Sequence, residues 1–346
     1  MIVARAPLRF SLGGGGTDLP AYSRRFGGFL VASAIDKYVY VAANRRYSPD
    51  LRLSYSKTEI ARDVREIEHP IFREALLATG VRDSIELVSV ADLPAQSGLG
   101  SSGTFTVALF AALDAFRGDA RSPRELAEAA ADLEMRVLGE PVGAQDPFVA
   151  AHGGFVALTF ARTGHVEVEP LQVSAATQTA LERALLVFDS GALRPAKMVL
   201  AEQGQRLAAD EADAVSGMHR VKEIGHEVRD LLVSGDLDRY GALLDEHWTR
   251  KRRFASTMTD GAIDAAYAAA REAGALGGKL IGAGGGGFFM FYVPEASQPD
   301  VAQVLSARGL RRLPFRFEAS GVVVSKDLFG AHALAPIDAL ADDADP

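Results

Sequence analysis

The chain contains no cysteine, which excludes disulfides, thiolate metal sites and a cysteine nucleophile. Histidine is sparse as well: seven residues, dispersed and without paired spacing, so a zinc site is not expected. Positive charge is in deficit, with 37 Lys and Arg against 45 Asp and Glu and a net charge of −8. A nucleic-acid binder needs the opposite balance to displace counterions. An anionic small molecule remains compatible, because a few local cations suffice to hold it. No run of about 18 or more apolar residues marks a membrane span. The opening MIVARAPLRF reads as a strand and lacks the apolar core of a signal peptide. The expected location is the cytoplasm.

What is present fits a globular α+β protein. The 346 residues are 48% hydrophobic and 24% charged, enough for one large domain or two sharing an interface. Val3 to Ala6 predicts a short strand, Phe29 to Ala43 a long one and Ile85 to Val90 a third. Phe105, Leu109, Ala112, Leu113 and Phe116 recur at helical spacing and predict a core helix over Gly103 to Phe116. Ser122 and Pro123 predict the start of the next helix, which ends near Gly139. Further on, a strand is expected at Leu185 to Phe188, long helical stretches from Lys197 to Leu232 and Asp236 to Phe254, and a helix from Asp260 to Ala273. A glycine loop then leads into a strand over Phe288 to Val293, and Val322 to Val324 closes the series. We place a boundary near residue 175, giving halves of 1–175 and 176–335 and a frayed tail over 336–346.

Three glycine-rich segments stand out. In LPAQSGLGSSGTFTVALFAAL, Leu93 to Leu113, a Gly/Ser loop separates a strand from an apolar helix. Such a junction presents free backbone N–H groups and a positive helix terminus, a fit for phosphate. No Gly-Lys-Ser/Thr ends it, so it is not a Walker loop, and it lacks the GxGxxG order of a dinucleotide fold. The plainer reading is a helix N-cap loop without a ligand. APLRFSLGGGGTDLPAY, Ala6 to Tyr22, carries four consecutive glycines flanked by Arg9 and Asp18. Those glycines cost folding entropy, so the backbone there is closely approached or tightly turned. KLIGAGGGGFFMFYV, Lys279 to Val293, repeats the run ahead of a strand; alone it could be a packing point.

These segments, in this order, resemble the three motifs of the GHMP kinases, a family that includes galactokinase, homoserine kinase and mevalonate kinase. The resemblance spans nearly the whole chain and is most specific at Gly98-Leu99-Gly100-Ser101-Ser102. It implies a two-lobed α+β fold, with a ribosomal S5-like N-terminal half and a ferredoxin-like C-terminal half. It also implies ATP and magnesium as cofactors in a cleft between the halves. Within the family, APLRFSLGGGGTD, GAQDPFVAAHGG (Gly143 to Gly154) and GGKLIGAGGGGFFMFYV are most similar to the D-glycero-D-manno-heptose 7-phosphate kinases, which form a 1,7-bisphosphate for bacterial surface sugars. Three positions depart from the pattern: Pro147 stands where related sugar kinases often carry Gln, and Gln96 and Gly103 are not the commonest choices.

The resemblance assigns roles. Asp146 matches the base beside the acceptor hydroxyl, and Arg9 a catalytic cation; otherwise they are a helix cap and a strand-end arginine. The ATP phosphates fall on Gly98, Leu99, Gly100, Ser101, Ser102 and Gly103. Ser102 and Glu134 match magnesium ligands, one hydroxyl and one carboxylate being enough for a hard cation that keeps its waters. Asp18, with Thr17, Gly15, Gly16, Gly284 and Gly285, is expected at the sugar. A substrate phosphate would need cations, and Arg24, Arg25, Arg194, Lys197, Lys251, Arg252 and Arg253 are candidates, Lys197 and Lys251 foremost. The plainer reading of Arg250 to Arg253 is a solvated helix face. Adenine is expected along Ser54 to Glu59. The expected partners are ATP and a small-molecule sugar phosphate, with a homodimer allowed, and neither nucleic acid nor membrane. A free sugar such as fucose or galactose, or a mevalonate-like alcohol, would keep the chemistry with another acceptor. A non-catalytic nucleotide- or metabolite-binding regulator has no need of Asp146 and Glu134 together.

Overall fold

The computed structural model describes residues 1–95, 97–191 and 196–326. Strand β1 (Ile2–Gly13) runs antiparallel to β2 (Gly28–Arg45), with the short helix α1 (Pro20–Phe26) between them. The expected strand at Val3 to Ala6 is only the first third of β1. Beyond Ala6 the strand loses polar/apolar alternation and is buried throughout, because helices cover both of its faces. β3 (Leu51–Ser54) and β4 (Thr58–Ala61) form a small hairpin at the sheet margin, followed by α2 (Pro70–Thr79) and β5 (Ile85–Ala91).

Helix α3 (Ser101–Arg117) is apolar on nearly every side and lies in the middle of the first core. α4 (Pro123–Asp132) starts at Ser122 with a reciprocal capping box to Glu125. It runs directly into a π-turn over Leu133–Val137, where Leu138 N–H donates to Leu133 O at 2.9 Å. Then come α5 (Gln145–His152), β6 (Phe155–Phe160) and β7 (Val166–Pro170). The first sheet thus follows the order β1-β2-β5-β3-β4, with β6 and β7 added beside the first half of β2.

The second half packs helices on a small antiparallel sheet. In order it contains α6 (Ala175–Ala184), β8 (Leu185–Asp189), α7 (Ala196–Ala208), α8 (Ala212–Ser234), α9 (Tyr240–Lys251) and α10 (Gly261–Glu272). β9 (Gly277–Leu280), β10 (Phe288–Tyr292), α11 (Gln298–Ser306), β11 (Arg311–Arg312) and β12 (Val323–Ser325) complete it. The second sheet has the order β11-β8-β10-β9. The single helical stretch expected from Lys197 to Leu232 is two helices, broken where Asp210 takes a left-handed φ of 57°. Lys279 and Leu280, expected in a glycine loop, belong to β9, so the loop is confined to residues 281–287.

We propose the division of the chain near residue 175, at the start of α6. It is not a clean cut, since β12 crosses back to pair with β1 at the edge of the first sheet. Helix α8 also packs on β1 and β2, and an apolar cluster with Phe10, Leu12, Val187, Val228 and Met290 spans both halves. The cleft described next lies on this seam.

Candidate active site

The Gly/Ser loop joins β5 to α3. Gly98 and Gly100 both take left-handed φ, 79° and 82°. Gly100 is the N-cap of α3, and no side chain caps the first amides of the helix, which leaves those of Ser101, Ser102 and Gly103 directed at the loop mouth. The Leu99 side chain is fully buried and anchors the loop in the core. A methyl group on Gly98 would lie 2.7 Å from Ile281 O, and one on Gly282 2.8 Å from Gly98 Cα. The middle and last glycine segments therefore touch backbone to backbone, which only glycine permits.

Arg9 is buried at the foot of this loop. Its Nε donates to Asp146 Oδ1 at 2.7 Å, its Nη2 lies 2.6 Å from the same oxygen, and its Nη1 donates to Gly98 O at 2.8 Å. One guanidinium thus ties the loop to the first turn of α5. Both contacts on Asp146 fall on Oδ1, and neither involves Oδ2. α5 can come this close because of Gly103: a Cβ there would sit 2.8 Å from Asp146 Cβ and 2.7 Å from Pro147 Cδ. Pro147 and Gly103, two of the three departures from the family pattern, pack against each other.

Asp18 is buried and accepts from Gln145 N at 3.3 Å and from Gln145 Nε2 at 3.1 Å. Burial, and then the nearby Asp146 carboxylate, raise its pKa above the ordinary range. Lys251, in the last turn of α9, is buried and donates to Gly282 O. Burial and the Arg9 charge push its pKa down to about 8, against the pull of Asp18. Lys279 on β9 is buried too, its pKa well below the usual value through burial, Lys251 and Arg9.

The Ser102 hydroxyl donates to the Glu134 carboxylate, which the π-turn brings inward from α4. Burial pushes Glu134 up to about 7; the Ser102 bond opposes the rise, and Asp146 and Glu140 add to it. No group of three or more His, Cys, Asp or Glu among the described residues could hold a metal. A desolvated carboxylate bonded to a hydroxyl, beside an amide-lined loop, nevertheless suits magnesium, which takes one or two protein oxygens and fills its shell with water and phosphate.

A cavity of about 200 Å³ brings Arg9, Asp18, Asp146, Lys251 and the Gly98–Ser102 loop together. Gly16, Gly282 and Ala283 also line it. Thr17 does not: its buried hydroxyl donates to Gly14 O and Phe29 O and fixes the glycine turn instead. Gly15 lies against Ser11, Gly284 lies against Met258 and Gly285 N–H donates to Met258 O at 2.8 Å, and none of these three lines this cavity. The Arg250–Arg253 run is the solvated face of the plainer reading, apart from Lys251; Arg250 meets Glu246 and Arg252 meets Asp264. Arg24 and Arg25 bond Thr163 O, Leu207 O and Asp210. Gln96, Arg194 and the Lys197 side chain lie outside the described residues. The lining residues missed were Leu19, Val142, Gly143, Gln145, Leu200, Gln203, Gly282 and Ala283. Gln145 could have been flagged by its place beside Asp146, whereas Leu200 and Gln203 carry no signal within an ordinary amphipathic helix.

A second cavity, of about 550 Å³, adjoins the loop and shares Ser101 and Ser102 with the first. Tyr55, Ser56, His69, Phe72 and Phe105 line it. This apolar, aromatic slot includes part of the Ser54–Glu59 stretch singled out in the sequence. Among the described residues no helix is long and apolar enough to cross a membrane.

Comparison with known proteins agrees with this geometry. Residues 66–154 match the GHMP kinases N terminal domain and residues 228–310 the GHMP kinases C terminal domain. D-glycero-alpha-D-manno-heptose 7-phosphate kinase of Campylobacter jejuni is 26% identical over 336 residues, covering 93% of this chain and 98% of that protein. Mevalonate kinase of Thermococcus sibiricus is 29% identical, covering 89% and 93%. A D-glycero-D-manno-heptose 1-phosphate kinase structure from Bacteroides thetaiotaomicron superposes with a TM-score of 0.79 at 24% identity, over 94% of this chain and 99% of that one. With both domain types matched in order, the two-lobed fold shared and kinases among its relatives, the chain belongs to the GHMP kinases and is a phosphotransferase.

Proposed function

We propose that the chain transfers the γ-phosphoryl group of ATP to the anomeric hydroxyl of D-glycero-D-manno-heptose 7-phosphate, giving the 1,7-bisphosphate and ADP. The observation that carries this reading is the Arg9 guanidinium, which joins Asp146 to the amide-lined loop inside a cavity that also holds Asp18 and Lys251. A nucleotide laid along the aromatic slot would run its phosphates over Ser101 and Ser102 towards Asp146. The helix terminus offers amides and a positive dipole to that polyanion. Ser102 and Glu134 would hold magnesium, which when bound neutralises charge on the transferring phosphoryl group.

Asp146 takes the role of base. The acceptor oxygen bonds to the γ-phosphorus as the bond from that phosphorus to the β–γ bridging oxygen breaks, and the hydroxyl proton passes to the Asp146 carboxylate. Arg9 holds Oδ1, which leaves Oδ2 for the hydroxyl. Asp18 accepts from sugar hydroxyls, and Lys251 supplies a cation for the phosphate the acceptor already carries. The heptose-phosphate acceptor is supported by the Campylobacter relative and by Lys251, whose buried amine lines the cavity.

The test is a coupled ADP-release assay with four acceptors: heptose 7-phosphate, L-fucose, D-galactose and mevalonate. The heptose phosphate should give the highest kcat/KM. Faster turnover of an unphosphorylated acceptor would reject it as substrate and leave the kinase assignment standing.

A further inference from the structure

Gln203 lies on the inward side of α7, is 1% exposed, and lines the same cavity as Asp18, Gln145 and Lys251. Among the described residues its Nε2 reaches only the Met218 sulfur, at 3.5 Å. Its Oε1 has no hydrogen-bond partner among the described residues. Turning the amide over would set the carbonyl against a sulfur lone pair and strand the NH2 group, so the deficit persists either way. Gln145 is in the same condition: its Nε2 donates to Asp18, and its Oε1 has no partner among the described residues. A buried amide oxygen left unpaired is costly, and a ligand group or water is the usual remedy.

The chemistry of the missing partner follows from what the wall offers. Gln145 Oε1, Gln203 Oε1 and the Asp18 carboxylate are all acceptors. The Arg9 donors nearby are already bonded to Asp146 and Gly98. A complementary ligand must therefore bring several O–H donors to this side of the cavity, and a sugar does so. A purely anionic or apolar acceptor does not.

We infer that Gln203 is a specificity-determining residue, which with Gln145 and Asp18 selects acceptors bearing hydroxyl groups beyond the one phosphorylated. This rests on the kinase reading and deepens it by stating how the acceptor is told apart. Gln203 belongs to the second half and Gln145 and Asp18 to the first, so the hydroxyl-reading wall is shared across the seam. Glu202, next to Gln203, accepts from Ser256 N and Thr257 Oγ1, and Arg25 bonds Leu207 O, so the helix presenting Gln203 is held at both flanks.

The experiment compares wild type with Gln203→Met, a near-isosteric change that removes the acceptor oxygen. It uses heptose 7-phosphate and its monodeoxy analogues in turnover assays, and sugar calorimetry with a non-hydrolysable ATP analogue present. The expected result is KM for the parent sugar raised roughly 10-fold, with kcat within about threefold. One monodeoxy analogue, bound roughly 10-fold more weakly than the parent by wild type, should lose that penalty in the variant. Equal KM in both proteins, or every deoxy penalty persisting in the variant, overturns the inference. Should Gln203→Met fail to fold, Gln203→Asn withdraws the oxygen by one methylene and is read identically. If wild type binds the nucleotide analogue but no hydroxylated sugar of the panel, the Gln203 role is overturned and the kinase reading survives. If it binds no nucleotide, the kinase reading is lost, and sugar calorimetry without nucleotide then decides on Gln203 by the same loss of the deoxy penalty.

Discussion

Asp146, Glu134 and Lys251 are three ionisable groups in one small volume, and each makes a distinct expectation. Asp146→Asn removes the proton acceptor but keeps the shape, so turnover should fall by about two orders of magnitude while the nucleotide still binds; turnover near wild type would remove Asp146 from the base role. Glu134 has a folded pKa raised from the ordinary 4.5 to about 7. Between those values the folded state holds a proton that the unfolded state has lost, so this group lowers stability as pH rises from about 4.5 to 7, by roughly 3 kcal/mol in all. In its proposed role as a magnesium ligand Glu134 acts in the ionised form, so the affinity for magnesium with nucleotide should strengthen as pH climbs to 7 and then level off. Glu134→Gln should flatten the melting-temperature profile over that range and raise the magnesium concentration needed for half-maximal rate. An unchanged profile would contradict the buried, metal-poised carboxylate. Lys251 is held at about 8, so without a bound anion its charge is lost as pH passes 8. Affinity for a phosphorylated acceptor should then weaken, and Lys251→Met should abolish that pH dependence.

At the scale of elements, two helix starts serve the site and one serves only the fold. α3 begins uncapped over the loop, and α5 carries Asp146 in its first turn, the two being pressed together at Gly103. Gly103→Ala should separate them and misplace the base. Because small displacements of reacting groups are costly, kcat should drop on the order of 10- to 100-fold with the fold retained, as circular dichroism would show. α4 begins with the Ser122–Glu125 box, and neither residue lines either cavity. Ser122→Ala should cost about 1 kcal/mol of stability and leave the kinetic constants alone. The Ser122 cap was legible in the sequence because capping chemistry is local. So were α3 and β5, whose apolar periodicity reports burial directly. The full length of β1 was not legible: its second half is buried on both faces by elements distant in the chain, which removes the alternation that marks a strand. The inward turn of Glu134 was hidden because a π-turn within a helical run leaves no mark in the spacing of apolar residues.

For the molecule as a whole, the sequence shows three glycine segments in order but not their mutual contact. The last of them also serves the architecture, with Gly282 meeting Gly98, Gly284 packed beside Met258 and Gly285 N–H bonded to Met258 O. Composition cannot distinguish a glycine that admits a ligand from one that admits another backbone. Saturating ATP analogue with magnesium should stabilise the fold by about 2.7 kcal/mol at 100 times Kd, read as a rise in melting temperature. The absence of any shift, together with no heat of binding, would sink the phosphate-loop assignment. Gly282→Ala, strained at a φ of 78° and forced against Gly98, should weaken nucleotide binding and lower the melting temperature together, although residue 282 belongs to no phosphate-contacting helix.

That backbone contact also sets the timetable of synthesis. A nascent chain that has emerged only as far as α5 already owns the loop, Arg9 and Asp146, yet lacks the buttress at Gly282 and the amine of Lys251. β12, the strand that finishes the first sheet, leaves the ribosome later still. Catalytic competence is therefore deferred until β12 has emerged, and a product terminated ahead of Gly282 should be catalytically silent even with its Gly/Ser loop intact.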